Sequence, residues 1–151
     1  VADRDVAELR NHIDFARMSE TARRTACEDM LDTLARSREP LPISTWMMAA
    51  GFGCAELAFD VMDQALDQGR ALRPDPFDGF GMARAQASLQ FFVGNGGEPI
   101  WRHRRFAGLS ARLGLAQYWM QSGKWPDCAA DVEYDFKVAC AEAAARRSTT
   151  G

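Results

Sequence analysis

No apolar run in this 151-residue sequence approaches the roughly eighteen residues that a membrane-spanning helix needs. The opening, VADRDVAELRNH, lacks the basic-then-apolar pattern of a secretory signal. It starts on Val1 rather than an initiator methionine, which fits a processed chain or a piece of a longer one. These absences predict a cytoplasmic protein with no membrane association. Histidine is scarce: only His12 and His103 are present, and the four cysteines, Cys27, Cys54, Cys128 and Cys140, form no C-x-x-C pair. Zinc sites draw on closely spaced ligand pairs, so no metal and no cofactor is expected. Cys128 and Cys140 are close enough in sequence for a disulfide, while buried free thiols in a reducing compartment are the plainer reading. A basic excess is missing as well. The 18 Lys and Arg face 21 Asp and Glu, for a formal net charge of −3, which argues against a dedicated nucleic-acid binder. No window shows a sustained run of alternating β-branched residues, and the fold class expected is all-α.

Apolar residues make up 47% and charged residues 26%, a balance that supports one globular domain with a substantial core. Val6, Leu9, Ile13 and Ala16 recur at helical spacing, with Asp5 as N-cap and Glu8 three residues on. A second helix is predicted from near Ser19, with Ala22, Ala26, Cys27, Met30, Leu31 and Leu34 as its inward stripe. Pro40 and Pro42 in REPLP, 38–42, stop it and mark a hinge. ISTWMMAA, 43–50, and AELAFDVMDQALDQG, 55–69, read as two helices joined at Gly51-Phe52-Gly53, an antiparallel αα-hairpin. The second of them buries Leu57, Ala58, Val61, Met62, Ala65 and Leu66 and ends at Gly69.

RPDPFDGFG, 73–81, is turn chemistry, and GMARAQASLQFFV predicts a buried helix beyond it. GNGGEP, 94–99, then breaks that helix, either as a flexible turn or as a lid. Phe106, Leu109 and Leu113 mark a short helix stopped at Gly114, and a further helix runs from Leu115 to Ser122. The last covers 134–147, with Phe136, Ala139, Cys140 and Ala143 facing inward. The expectation is six to seven helices in a single domain over 1–147. It comprises an N-terminal helical pair (1–42), the hairpin (43–72) and the C-terminal helices (79–147), followed by a frayed tail (148–151).

Gly123-Lys124 invites a phosphate-loop reading. That loop requires a glycine five residues before Gly123 and a hydroxyl residue after the lysine, but the sequence has Tyr118 and Trp125. WRHRRF, 101–106, gathers Arg102, His103, Arg104 and Arg105, either to contact an anion or nucleic-acid phosphate or to solvate the start of a helix. Arginine neighbours would disfavour a protonated His103. Neither histidine lies in a recognisable nucleophile signature. Carboxylate pairs such as Asp60/Asp63 and Asp131/Asp135 are spaced like exposed helix positions. No enzyme is expected.

The aromatic residues Trp46, Trp101, Tyr118, Trp119, Trp125 and Tyr134, with nine phenylalanines, would either line a pocket or fill the spaces between helical hairpins. In GLAQYWMQSGKWPDC, 114–128, the packing reading makes a joint. Trp125 wedges under the turn while Pro126 redirects the chain, leaving Asp127 or Asp131 to cap the last helix.

RRFAGLSARLGLAQYWMQSGKWPDCAADVEYDFKVACAEA, 104–143, resembles the C-terminal end of bacterial tetratricopeptide-repeat (TPR) proteins. The likeness is carried by Arg105-Phe106, the Leu109-x-x-x-Leu113-Gly114-Leu115 run, Tyr118-Trp119, the Gly123-to-Asp127 turn and Tyr134-Asp135-Phe136. AAGFGCAELAFDVMDQAL, 49–66, is similar to a repeat hairpin, with Ala58, Met62 and Ala65 at its small-large-small packing positions. Trp46 stands where the repeat has Gly, and Arg70 where it usually has Pro. The resemblance implies a degenerate TPR-like repeat closed by a Trp-rich capping tail.

The function this implies is a non-enzymatic module for a protein or peptide partner, within a larger regulatory or scaffold protein. Candidate binding residues are Trp119, Trp125, Tyr118, Arg102, Arg104 and Arg105, with Met47, Met48, Met62 and Met82 as adaptable contacts or as core. A small-molecule-binding sensory domain with a dry aromatic cavity is the alternative. A regulator domain with Arg102, Arg104 and Arg105 on phosphate is a third reading. So few hairpins would leave a helical face unsealed, which predicts a homodimer or a neighbouring domain.

Overall fold

The computed structural model of the chain describes residues 17–73 and 97–148. The helices expected over 6–16 and within 81–93, the first half of the GNGGEP turn, Met82 and the end of the tail lie outside them. What is described is all-α: α1 (Glu20–Arg36), α2 (Ile43–Ala49), α3 (Ala55–Asp67), the short α4 (Glu98–Trp101), α5 (Arg105–Arg112), α6 (Leu115–Ser122) and α7 (Phe136–Ser148). A π-helical turn, Ala50–Cys54, separates α2 from α3, and a 3₁₀ turn, Asp127–Ala130, precedes α7.

The N-terminal half is built on α3. The Ser19 hydroxyl accepts from the Ala22 N–H at 3.2 Å and starts α1. Cys27, Leu31 and Leu34 then bury one helical stripe. Ala22, expected in that stripe, is exposed, because it lies in the first turn ahead of Cys27, the first fully packed position. Gly53, at φ 97°, turns the chain from α2 into α3, a conformation that costs a side-chain-bearing residue about 1–2 kcal/mol. Trp46 closes the turn: its ring meets Phe59 edge-on at 5.6 Å, and its indole N–H donates to the Ala58 carbonyl.

On α3, Ala58, Phe59, Val61, Met62 and Ala65 are buried, whereas Leu57, expected inward, is 38% exposed. Each residue advances about 100° around a helix. The buried arc extends forward from Ala58 to Phe59, and Leu57 falls behind it.

Gly69 ends α3 as expected, at φ 68°, with Arg70 N–H bonded to the Ala65 carbonyl at 2.9 Å and Gly69 N–H to that of Leu66 at 3.1 Å. The segment expected as a hinge is braced. Leu41–Pro42 pairs in parallel with Leu72–Arg73 as a two-residue ladder, β1 with β2. The Arg70 guanidinium donates to the Glu39 carbonyl at 2.7 and 3.0 Å and to that of Leu34 at 3.0 Å. Arg70 thus ties the helix end to the proline segment by a fork of donors that no proline could supply.

In the C-terminal half α5 and α7 pack along each other, with α6 against both. Gly114 (φ 81°) and Gly123 (φ 70°) bracket α6, which spans the residues expected for it. α7 begins at Phe136 rather than 134. Its first turn is capped by Asp135, whose Oδ1 accepts from Val138 N–H at 3.0 Å. Asp127 and Asp131 do not serve as this cap, because Asp127 opens the intervening 3₁₀ turn and Asp131 ends it. One continuous apolar cluster, from Cys27 and Leu31 through Trp46, Phe59 and Ile100 to Phe106 and Phe136, joins the halves.

Candidate functional site

The sequence-predicted residues fall in two places. Trp119 is buried in the wall of α6, Tyr118 beside it is 55% exposed, and Trp125 is half-buried. Adjacent helix positions point about 100° apart, so only one ring of the pair can reach the core. Trp119 lies 5.6 Å from Phe136 and 6.2 Å from Trp125, centroid to centroid, and Trp125 lies 6.3 Å from Phe136. Lys137 Nζ sits 5.5 Å over the Trp125 ring. The rings pack on one another, as a joint does.

All four cysteines are free and buried, so Cys128 and Cys140 form no disulfide. Burial pushes the thiols of Cys27 and Cys140 up to about 12 and that of Cys128 up to about 11. Burial likewise raises Tyr134 above its ordinary value. Its hydroxyl lies 3.1 Å from the Trp101 carbonyl and 3.3 Å from that of His103, which anchors the turn between α4 and α5.

That turn places the arginine cluster against α3. Arg102 pairs back with Glu98 at 2.6 Å, its guanidinium 5.2 Å over the Trp101 ring. His103 stacks at 4.8 Å on Phe59. Its Nδ1 accepts from the Arg105 backbone N–H at 3.3 Å, which assigns the proton to Nε2 for donation to Glu56 Oε1 at 3.1 Å. Arg105 Nη1 reaches Asp60 at 2.7 Å and Glu56 at 3.1 Å, and its Nη2 reaches Asp63 at 2.8 Å. One turn-pair further along α5, Arg112 holds Asp63 at 3.2 Å and Asp67 at 2.5 Å. Burial works against the charge on Arg105, but its hydrogen bonds to Asp63, Asp60 and Glu56 outweigh it and hold the guanidinium above its ordinary range.

Arg102 and Arg105 are therefore committed to carboxylates of the chain itself. Arg104 is exposed and makes no ion pair with any described residue. The acidic face of α3 was legible as spacing, since Glu56, Asp60, Asp63 and Asp67 recur at four, three and four residues on one helix face. Sequence reasoning took Asp60 and Asp63 for solvated positions because nothing local names their partners.

Between α5 and α7 lies a solvent-open groove of about 590 Å³. Its floor is small: Ala107 and Gly108 from α5, Ala139 and Ala143 from α7. Arg104, Arg105 and Arg112 line it from the α5 side, and Glu142, Arg146 and Arg147 from the C-terminal half of α7. Arg146 lies 4.0 Å from Glu142, and Arg147 Nη1 donates to the Ala111 carbonyl at 3.0 Å. The sequence reading named Arg104 as a candidate binding residue without this groove, and missed Arg146 and Arg147, which read as ordinary cations of a helix C-terminus. Met47 and Met62 are core and Met48 is half-buried; none lines the groove.

The groove's described lining offers guanidinium donors, carboxylates, the His103 imidazole, Leu109 and small side chains. Among the described residues no helix is long and apolar enough to cross a membrane, and no three acidic, histidine or cysteine side chains are grouped to hold a metal ion. Comparison with protein-family models, with curated proteins and with solved structures finds no match.

Proposed function

We propose that this chain is a non-enzymatic, TPR-like interaction module that presents the α5–α7 groove to a protein or peptide partner, within a larger regulatory or scaffold protein. The observation that carries this reading is the groove itself, which lies along the α5–α7 seam over Ala107, Gly108, Ala139 and Ala143 and is bordered by arginine donors. Such a floor admits the backbone of a partner, and the rim supplies directional contacts. The sensory alternative draws on a cavity among the aromatic rings. Trp119, Trp125 and Phe136 instead fill one another's space, which favours the interaction reading.

A peptide-display selection on the intact chain tests it, with counter-selection on a Gly108→Phe variant. A Cβ at Gly108 meets no described atom within 4 Å and Gly108 lines the groove, so that variant is expected to fill the groove and leave the described core in place. Sequences enriched on the parent and not on the variant are expected. A selection yielding no groove-dependent peptide sinks the proposal, and a thermal-shift screen of metabolites then takes up the sensory reading.

A further inference from the structure

Cys27 on α1 and Cys54 at the end of the π-helical turn reach across one seam. α1 packs on that turn, with Cα atoms of the two within 8 Å. The Cys27 thiol donates to the Ala49 carbonyl at 3.0 Å. A π-helical turn directs a carbonyl towards the N–H five residues on, so Ala49 is the carbonyl that faces Cys54. The Cys54 sulfur lies 3.9 Å from the Arg24 carbonyl, one helical turn before Cys27. Each sulfur thus approaches the backbone beside the other.

The two cysteines also meet directly. Burial first, and then hydrogen-bonding contact with the Cys54 thiol, keep Cys27 protonated, while the Cys54 backbone N–H reaches the Cys27 sulfur. Access to them is unequal. Cys27 is fully buried, whereas Cys54 is 7% exposed and follows Gly53, which is open to solvent. The charge of Arg24 is favoured first by Glu28 and also by Cys54, so a thiolate formed at Cys54 has a guanidinium in range. Cys140 feels Cys128 through its charge, without such an exchange of hydrogen bonds among the described residues.

We infer that Cys54 and Cys27 form a site of reversible oxidation by a hydroperoxide, Cys54 being the thiol that reacts first and Cys27 the one that resolves it. With hydrogen peroxide, the Cys54 sulfur attacks one oxygen. The O–O bond breaks, leaving a sulfenic acid on Cys54 and releasing water. The Cys27 sulfur then attacks the Cys54 sulfur. An S–S bond forms, the S–O bond breaks, and the hydroxyl departs as a second water with the Cys27 proton. The two thiols give up two protons and two electrons, and the peroxide becomes two waters. A buried, protonated Cys27 is a slow nucleophile in free encounter, but here contact with Cys54 replaces the encounter. A hydroperoxide is also far smaller than a low-molecular-weight disulfide, which suits a thiol with so little open surface. The product ties α1 to the turn that leads into α3.

The test treats the reduced full chain in native buffer with hydrogen peroxide, alkylates the remaining thiols in urea, and maps them by mass spectrometry. A peptide linked through Cys27 and Cys54 is expected, with Cys128 and Cys140 alkylated. Dithiothreitol should then restore all four thiols. In Cys27→Ser, dimedone should trap the sulfenic acid at Cys54, and in Cys54→Ser Cys27 should stay a thiol. The map of the parent decides the pair by itself, whether or not either variant folds.

A native chain that resists peroxide while the urea-unfolded chain is oxidised overturns the inference. So does a link between Cys128 and Cys140 in place of this one, or sulfinic acid at Cys54 with Cys27 left free. None of these outcomes bears on the interaction reading, which stands on the α5–α7 groove.

Discussion

Arg105 holds three carboxylates on the neighbouring helix while its guanidinium lies 5.5 Å over the Phe59 ring. Its side chain is 33% exposed, but Glu56 is 74% exposed, so water screens part of each attraction. Replacing Arg105 with Ala is expected to lower the urea-unfolding free energy by roughly 1–2 kcal/mol. Arg105→Lys should recover less than half of that, because one ammonium cannot bridge groups spread across two guanidinium nitrogens. A loss below about 0.5 kcal/mol in Arg105→Ala would mean the pairs do no more than isolated surface pairs do.

The cysteines give a pH signature at the same scale. Thiols of the unfolded chain ionise near 9.0, while the buried ones hold their protons to about 11 or 12. Raising the pH therefore draws protons from the unfolded state first, and the stability these thiols contribute, complete below 9, is lost between 9 and about 12. Midpoints of urea unfolding measured from pH 8 upward should fall through that window. Ellman's reagent at pH 8 should label the native protein slowly and the urea-unfolded chain fast. Rapid labelling of all four native thiols would contradict their burial. The sequence made free buried thiols the plainer expectation, but burial itself depends on which helices cover Cys27 and Cys140, and no local pattern carries that.

At the scale of one element, α6 shows what periodicity can and cannot say. Its limits were legible because Gly114 and Gly123 both take left-handed backbone that other residues avoid. Its aromatic pair was named as one candidate surface, yet the two rings part company at the core boundary. Trp119→Ala is expected to cost about 3–5 kcal/mol, as removal of a large ring packed on Phe136 and Trp125 should. Tyr118→Ala should stay within about 0.5 kcal/mol of the parent, being a surface change. Comparable losses for both in chemical denaturation would mean that α6 is turned differently against α7. The same boundary explains Leu57 and Ala22. Each fits an apolar stripe on paper, and each falls just beyond the arc that a neighbouring helix covers.

Across the whole molecule, the apolar cluster is continuous, but the place where α3 meets α5 is polar. His103 on Phe59, with Arg105 and Arg112 on four carboxylates, makes up much of that seam. Glu56 and Arg105 are 49 residues apart in sequence, so the matching of an acidic stripe to two arginines seven residues apart was invisible until the helices were placed. Hydrophobic faces announce themselves by period. Complementary charged faces announce only that each wants a partner.

A seam of this kind should respond to salt, since the screening length falls from about 10 Å at 0.1 M to about 3 Å at 1 M. Partly exposed pairs are weakened, whereas apolar packing is not. Raising NaCl from 0.05 to about 0.5 M is expected to lower the parent's unfolding free energy by roughly 0.5–1 kcal/mol, and to leave Arg105→Ala nearly flat. The comparison between the two proteins isolates the ladder from the general screening of a chain with net charge −3, because that repulsion is eased in both. Equal salt responses would show that the halves are held by the apolar cluster alone, and that the ladder only decorates their meeting face.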